Sequence, residues 1–252
     1  MKASAKSYNY DAFANDFYEA RNFIDGAPHI GECAPDFEAH LLNGKTAKLS
    51  DWNGQTIVLE TGSLTCPIFA GNSSAMEALR ADLSDKAAFL VLYVREAHPG
   101  TKRPAHRSDA DKMRAAQETA NVFAPGRTIL VDDTTGSVHK QWGQLPNSVW
   151  IIGPDGRVIY RTDWNDPDTV RDIISADDPN ARARTYFEHR KQSMSLDLAT
   201  RLFNHIKRYA GWNAVWHVVA EGLAMNRQHR HADAAQVAGN PVPRPARTSG
   251  CW

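Results

Sequence analysis

The chain has 252 residues, 42% of them hydrophobic, with 29 basic and 29 acidic side chains. That length suits one α/β domain plus an extension, and the balanced charge excludes a bulk attraction to nucleic acid or anionic lipid. Three cysteines, Cys33, Cys66 and Cys251, are too few and too widely spaced for a disulfide scaffold, a zinc knuckle or a CxxC redox motif. No apolar run approaches the roughly 18 residues of a membrane span, and residues 1–11 lack the apolar centre of a secretory signal. The expectation is a soluble, cytoplasmic protein with no membrane or nucleic-acid partner.

Residues 1–29 read as a helical leader, because Tyr10, Phe13, Phe17, Ala20 and Phe23 recur at helical spacing. Residues 56–59 form a short β-branched run, predicted as a strand. Glycine, serine and proline follow around Cys66, and a helix is predicted over 72–83, with Met76, Leu79 and Leu83 on one face. Residues 89–94 are continuously apolar, as in a strand buried on both faces. Ser108, with Asp111 three residues on, opens the next helix. Residues 128–131 are a third strand. After a short helix near 138–142, residues 148–152 and 157–160 flank the turn sequence Gly153-Pro154-Asp155-Gly156, an antiparallel hairpin. Asp166-Pro167 then opens a closing helix. Parallel strands joined by helices, followed by an antiparallel pair, match a thioredoxin-like α/β arrangement over residues 30–178.

Residues 179–239 differ. Leu198, Leu202, Phe203, Ile206 and Tyr209 make one apolar helical stripe, Gly211 interrupts it, and Val215, Trp216, Val219 and Leu223 make a second. From Pro179 onward eleven basic residues face four acidic ones. Trp212 and Trp216 point to an intramolecular or homodimer interface for this helical pair. Residues 240–252 carry three prolines and read as a flexible tail.

Cys66 lies between a strand and a helix. Free N–H groups and the helix dipole at a helix start favour an anion, so its thiol is expected to have a lowered pKa and nucleophilic character. The hydroxyls of Ser63 and Thr65 are placed to donate to the thiolate or to a polar substrate atom. A buried, inert cysteine is the alternative. Phe69 stands where CxxC would need a second cysteine, so any resolving thiol comes from elsewhere. Cys251, near the chain end, and Cys33, in an extended segment, are the two candidates.

These residues also carry a resemblance. Residues 31–37 (GECAPDF) look like the opening of peroxiredoxin-like proteins. Residues 62–69 (GSLTCPIF) resemble the active-site signature of the iodothyronine deiodinases, with Cys66 in the selenocysteine position, and residues 89–99 (FLVLYVREAHP) resemble their second hallmark. Leu145-Pro146, Asp155-Gly156 and Trp164-Asn165 follow in the family's order. The resemblance implies a thioredoxin-like fold and a Cys66 nucleophile. It implies that His98 holds or protonates substrate, that Glu96 orients His98 or relays a proton, and that Pro146 is a cis-proline facing Cys66. Phe69 joins Pro146 as a substrate-contacting residue. It also implies no bound cofactor or metal, and an external thiol reductant of thioredoxin or glutathione type. Leu64 replaces a cysteine frequent in the vertebrate signature. A peroxiredoxin signature needs proline seven residues before the cysteine and Ser or Thr three before: Ser63 fits, Leu59 does not. Arg127 or Arg161 would be its peroxide-polarising arginine. The expected function is a thiol-dependent oxidoreductase. A non-catalytic interaction module using the basic helices is the alternative from another class.

Overall fold

The computed structural model describes residues 8–14, 20–185, 196–229 and 251–252, with the side chains of 20–21 and 222–229 left aside. A seven-stranded mixed sheet has the order β2-β1-β5-β4-β3-β6-β7. Its strands are β1 (Glu38–Leu41), β2 (Thr46–Lys48), β3 (Thr56–Gly62), β4 (Ala87–Tyr93), β5 (Thr128–Val131), β6 (Val149–Ile152) and β7 (Val158–Thr162). β4 lies between β3 and β5, parallel to both; β6 adds antiparallel to β3, and β7 antiparallel to β6. This is the expected thioredoxin-like α/β fold.

The apolar runs form the centre because helices cover both faces. On one face Val58, Phe89, Val149 and Ile151 pack against Met76 and Leu79 of α2 (Pro67–Leu83) and against Val170 and Ile173 of α5 (Pro167–Ser175). Beside them Val91, Tyr93 and Ile129 meet Ala115, Ala116 and Ala120 of α3 (Asp109–Phe123). Alanines let that helix lie close to the sheet. The opposite face carries Leu59, Leu90, Leu92 and Trp150 under Phe23, Leu49 and Trp142. Trp142 and Trp150 meet edge-on at 5.1 Å, an arrangement worth about 1 kcal/mol beyond the area it buries. Ser108 caps α3, its hydroxyl accepting from the Asp111 N–H.

Several expectations are corrected. The leader is not one helix: residues 8–14 are non-helical, and among its described residues only α1 (Ala20–Ile24) is helical, while Phe17 lies outside them. Tyr10 and Phe13 are spent instead on long-range contacts, with the Tyr10 hydroxyl donating to the Ala97 carbonyl at 2.9 Å and Phe13 stacking on His98. The hairpin β1–β2 was not anticipated. Cys33 and Cys251 form a disulfide with each other across 218 residues, so neither is available to resolve Cys66. Nor is the chain end loose. The Cys251 N–H donates to the Asp155 carbonyl at 3.1 Å, the Trp252 indole to the Ala34 carbonyl at 2.9 Å, and the Asn53 amide to the Trp252 carbonyl at 2.7 Å. Residues 240–250 lie outside the described residues.

After α4 (Ser137–Gln141) and α6 (Pro179–Ala183), the chain ends its described helices with α7 (Leu196–Tyr209) and α8 (Trp212–His229). Gly211, at φ +102°, makes the break between them. Ile206, Ala210, Ala214 and Val215 form their shared core. Trp212 and Trp216 remain 60% and 66% exposed, so they do not form the intramolecular interface expected of them. The Lys207 ammonium lies over the Trp212 ring at 4.4 Å, where it keeps its own access to water. Among the described residues no helix is long and apolar enough to cross a membrane.

Candidate active site

Register explains why distant residues meet. Gly62 and Tyr93 are paired at the carboxyl ends of β3 and β4, so the loops carrying Cys66 and His98 leave the sheet side by side. β6 runs back along β3, with Glu60 opposite Val149, which brings Pro146 and Asn147 to the same end. Cys66, His98 and Pro146 accordingly line one cavity of about 450 Å³, with Phe13, Ile68 and Trp164. Its roof comes from the C-terminal helices, through Leu202, Phe203 and Ile206 of α7 and Val218 of α8. The cavity is largely apolar and sits at the carboxyl ends of the strands, the usual place for a ligand in such sheets.

Cys66 is the N-cap of α2, with Pro67 as the first helical residue. It is the one free cysteine among the described residues and is 2% exposed. The expected lowering of its pKa is reversed. Burial pushes the thiol up to about 12, against the pull of the Phe69 and Ile68 N–H groups and with a further push from the Glu60 and Glu96 carboxylates. The charge-favouring helix end is present, but loss of water outweighs it.

The Ser63 and Thr65 hydroxyls do not serve the thiol either. The Ala97 N–H donates to Ser63 Oγ at 3.1 Å, and the His98 N–H to Thr65 Oγ1 at 3.0 Å. Thr65 in turn donates its hydroxyl to Glu96 Oε2 at 2.6 Å and its backbone N–H to the same oxygen at 2.9 Å. Both hydroxyls therefore stitch the cysteine loop to the histidine loop. The second Glu96 oxygen accepts from the Tyr93 hydroxyl, and His106 Nε2 lies 3.2 Å from it. Burial alone would raise the Glu96 carboxyl; His106, Thr65 and Tyr93 hold it down at about 2. Glu96 is thus a buried, charged anchor, and it touches the His98 segment through Thr65.

His98 is half-buried, with Nδ1 enclosed and without a hydrogen-bond partner. Its ring stacks on Phe13 at 4.6 Å. Burial and the nearby His205 push its pKa down to about 3, so the imidazole that lines the cavity is neutral at physiological pH.

Two other expectations fail. No described peptide bond is cis, so Pro146 lines the cavity in trans. The carbonyl just before it is fixed, accepting from the Thr61 hydroxyl at 2.7 Å with His139 Nε2 3.0 Å away, which holds the Leu145–Pro146 peptide in place. Phe69 is fully buried under the Arg127 guanidinium, 5.4 Å from its ring centroid, and does not line the cavity. A Cβ added at Gly62 would come within 2.5 Å of that ring; glycine is what lets Phe69 lie flat on the strand. Neither arginine considered for peroxide lines the cavity. Arg127 is held by Glu60, Glu77 and the Phe123 carbonyl. Arg161 donates to the carbonyls of Phe23, Ala27 and Pro28.

Tyr93, His106 and His205 escaped the sequence reading. Tyr93 closes an apolar run three residues before Glu96, which was a readable signal. His205 interrupts the α7 stripe between Leu202 and Ile206, and its Nε2 lies 3.0 Å from the Leu64 carbonyl, fastening α7 beside Cys66. His106 offered no local signal. Among the described residues no cluster of three metal-ligating side chains occurs.

The model of the iodothyronine deiodinase family matches residues 18–171. The thyroxine 5-deiodinase of Aquarana catesbeiana is 31% identical over 145 residues, 53% of each chain. That of Sparus aurata is 30% identical over 152 residues, 56% of each, and that of Homo sapiens 28% over 145 residues, 53% of this chain and 47% of the other. The chain thus spans about half the length of these relatives. Among solved structures, a putative protein disulfide isomerase from Bacteroides thetaiotaomicron aligns with a TM-score of 0.45 at 17% identity, over 57% of this chain and 84% of that one. The matched stretch holds Cys66, Glu96, His98 and Pro146, and α7 and α8 lie beyond it; the chain belongs to the iodothyronine deiodinase family.

Proposed function

We propose that the chain is a thiol-dependent reductase that removes a halogen from an aromatic ring, with Cys66 as nucleophile. The observation that supports this best is the placing of the one described free thiol in the wall of an apolar cavity, beside a neutral histidine with an unpartnered ring nitrogen. An apolar chamber suits a ring substrate, and the His98 nitrogen suits a phenolic hydroxyl on it. The curated relatives are thyroxine 5-deiodinases. The roof lies outside the family match, so α7 and α8 give the chamber walls that the match does not cover.

In the closed site the thiol keeps its proton and His98 stays neutral. Reactivity belongs to an opened form, in which water reaches Sγ and the α2 N–H groups act without the burial penalty. The thiolate then bonds to the halogen, the carbon–halogen pair stays on the ring carbon, and that carbon takes a proton. Cys66 is left as a sulfenyl halide. An external thiol displaces halide to give a mixed disulfide, and a second thiol attacks its outer sulfur, releasing Cys66 and a symmetric disulfide. No bound cofactor is required by this cycle. Disulfides persist in oxidising surroundings, so the Cys33–Cys251 bond speaks for such a compartment over the expected cytoplasm.

A peroxidase reading is less well supported, since among the described residues no arginine lines the cavity to polarise a peroxide. One experiment separates the readings. The protein is mixed with a stoichiometric halogenated phenol without reductant and followed by intact mass. One equivalent of dehalogenated product with oxidised Cys66 supports the dehalogenase. Oxidation of Cys66 by hydrogen peroxide alone supports the peroxidase, and an inert Cys66 supports the binding module.

A further inference from the structure

A second cavity, of about 600 Å³, adjoins the Cys66 chamber and shares Pro67, Ile68, Trp164 and Leu202 with it. Its character differs. Arg201 and Arg208 of α7 line it, and Asp166 is the one carboxylate in its lining among the described residues. Asp166 Oδ2 accepts the Thr169 hydroxyl at 2.8 Å. Arg201 is paired with Asp197 at 2.7 Å, but both side chains are more than 70% exposed, so water screens the pair and another anion can displace it. The Arg208 guanidinium rests over the Tyr209 ring. Seven residues separate the two arginines, two helical turns and roughly 10 Å along the axis.

Electrons for Cys66 must come from outside. Cys33 and Cys251 are bonded to each other beside the Asp155 turn and Asn53, at the start of β3, whereas Cys66 lies past its end. A protein dithiol would have to press its own surface against the sulfur, and Cys66 is 2% exposed beneath α7 and α8. A small thiol seated in the second cavity lies against the walls that cavity shares with the first.

We infer that this second cavity is the reductant's site, and that the reductant is a small peptide thiol carrying carboxylates at both ends, held by Arg201 and Arg208. The inference rests on the reading of Cys66 as the reactive thiol. In chemical terms the bound thiolate displaces halide from oxidised Cys66, forming a mixed disulfide. A second molecule of the same thiol then attacks the peptide-side sulfur, so Cys66 leaves reduced and the two peptides leave joined as a disulfide.

The test uses the full chain and needs no halogenated substrate. Wild type, Cys66→Ser and the double variant Arg201→Gln/Arg208→Gln are incubated at pH 8 with glutathione disulfide, with neutral 2-hydroxyethyl disulfide or with cationic cystamine. Mixed disulfide on Cys66 is followed by intact mass. Two charge-assisted contacts predict that glutathione disulfide reacts at least about 10-fold faster than the neutral disulfide, and that this ratio falls to about 1 in the double variant. Equal rates for the three disulfides, or a preference for cystamine, would overturn the inference while leaving Cys66 a reactive thiol. A preference for glutathione disulfide that survives in the double variant would also overturn it. No adduct with any of the three would sink the reading of Cys66 itself, and the inference with it.

Discussion

Glu96 Oε2 accepts both hydrogen bonds that Thr65 can give, from the backbone N–H at 2.9 Å and from the hydroxyl at 2.6 Å. One carboxylate oxygen thereby fixes the residue immediately before Cys66, and the same hydroxyl accepts the His98 N–H. Thr65→Val keeps the volume but removes the donor and leaves a buried charge short of a partner. A loss of about 2 kcal/mol in stability is expected, with a larger fall in turnover than stability alone explains. Thr65→Ser restores both. Urea unfolding and single-turnover rates on the three proteins check this; equal turnover in Thr65→Val and wild type would contradict it.

Two groups of the site give acid sensitivity in overlapping windows. His98 is held neutral, its pKa lowered from 6.5 to about 3, so the unfolded chain binds a proton that the folded one refuses. Its contribution is fully present above pH 6.5 and is lost as pH falls towards 3. Glu96 is lowered from 4.5 to about 2; its contribution is present above pH 4.5 and lost as pH falls through 2. Burial also holds His139 and His205 below their ordinary value, so His98→Gln should make the stability profile shallower by about one proton between pH 6.5 and 3 without flattening it. A His98→Gln profile with wild-type slope in the upper window would refute the buried, neutral histidine.

The closed roof predicts a sluggish thiol. With Cys66 held at about 12 instead of 9, iodoacetamide should alkylate the native protein slowly at pH 8, with the rate still rising well above pH 9. His205→Ala removes the fastening of α7 to the Leu64 carbonyl. It should speed alkylation at pH 8 by about 10-fold if opening loses one hydrogen bond's worth of resistance. An unchanged rate would show that α7 does not gate Cys66.

The Cys33–Cys251 bond closes a loop of 218 residues. Chain entropy predicts that it stabilises the fold by up to about 5 kcal/mol. Reductant should lower the urea midpoint of wild type to that of Cys251→Ser and leave the variant where it is. A wild-type midpoint indifferent to reductant would contradict the pairing.

The sheet was legible where local chemistry dictates it. The apolar run at β4, the turn sequence between β6 and β7, the Ser108 cap and the Gly211 break each carry their own instruction. Asn43-Gly44 is an equally readable hairpin signal, and it forms the turn between β1 and β2. The site was legible in its members but not in their state. The start of α2 announces a stabilised anion at Cys66, whereas the burial that reverses this comes from packing among residues of β4, β5 and α3 that are distant in sequence. Phe69 lies within the signature, yet only the flat approach of Gly62 shows it to be core. Nothing near Cys33 or Cys251 signals a bond that spans nearly the whole chain.

The central claim is that Cys66 breaks the carbon–halogen bond, and iodide release tests it most directly. The full chain is given an iodinated phenol and excess glutathione, and iodide and product are counted against enzyme. The account predicts many turnovers by wild type, one iodide per deiodinated ring, and none by Cys66→Ser. Iodide release by Cys66→Ser at the wild-type rate, or none by wild type across mono- and di-iodinated phenols, would contradict it.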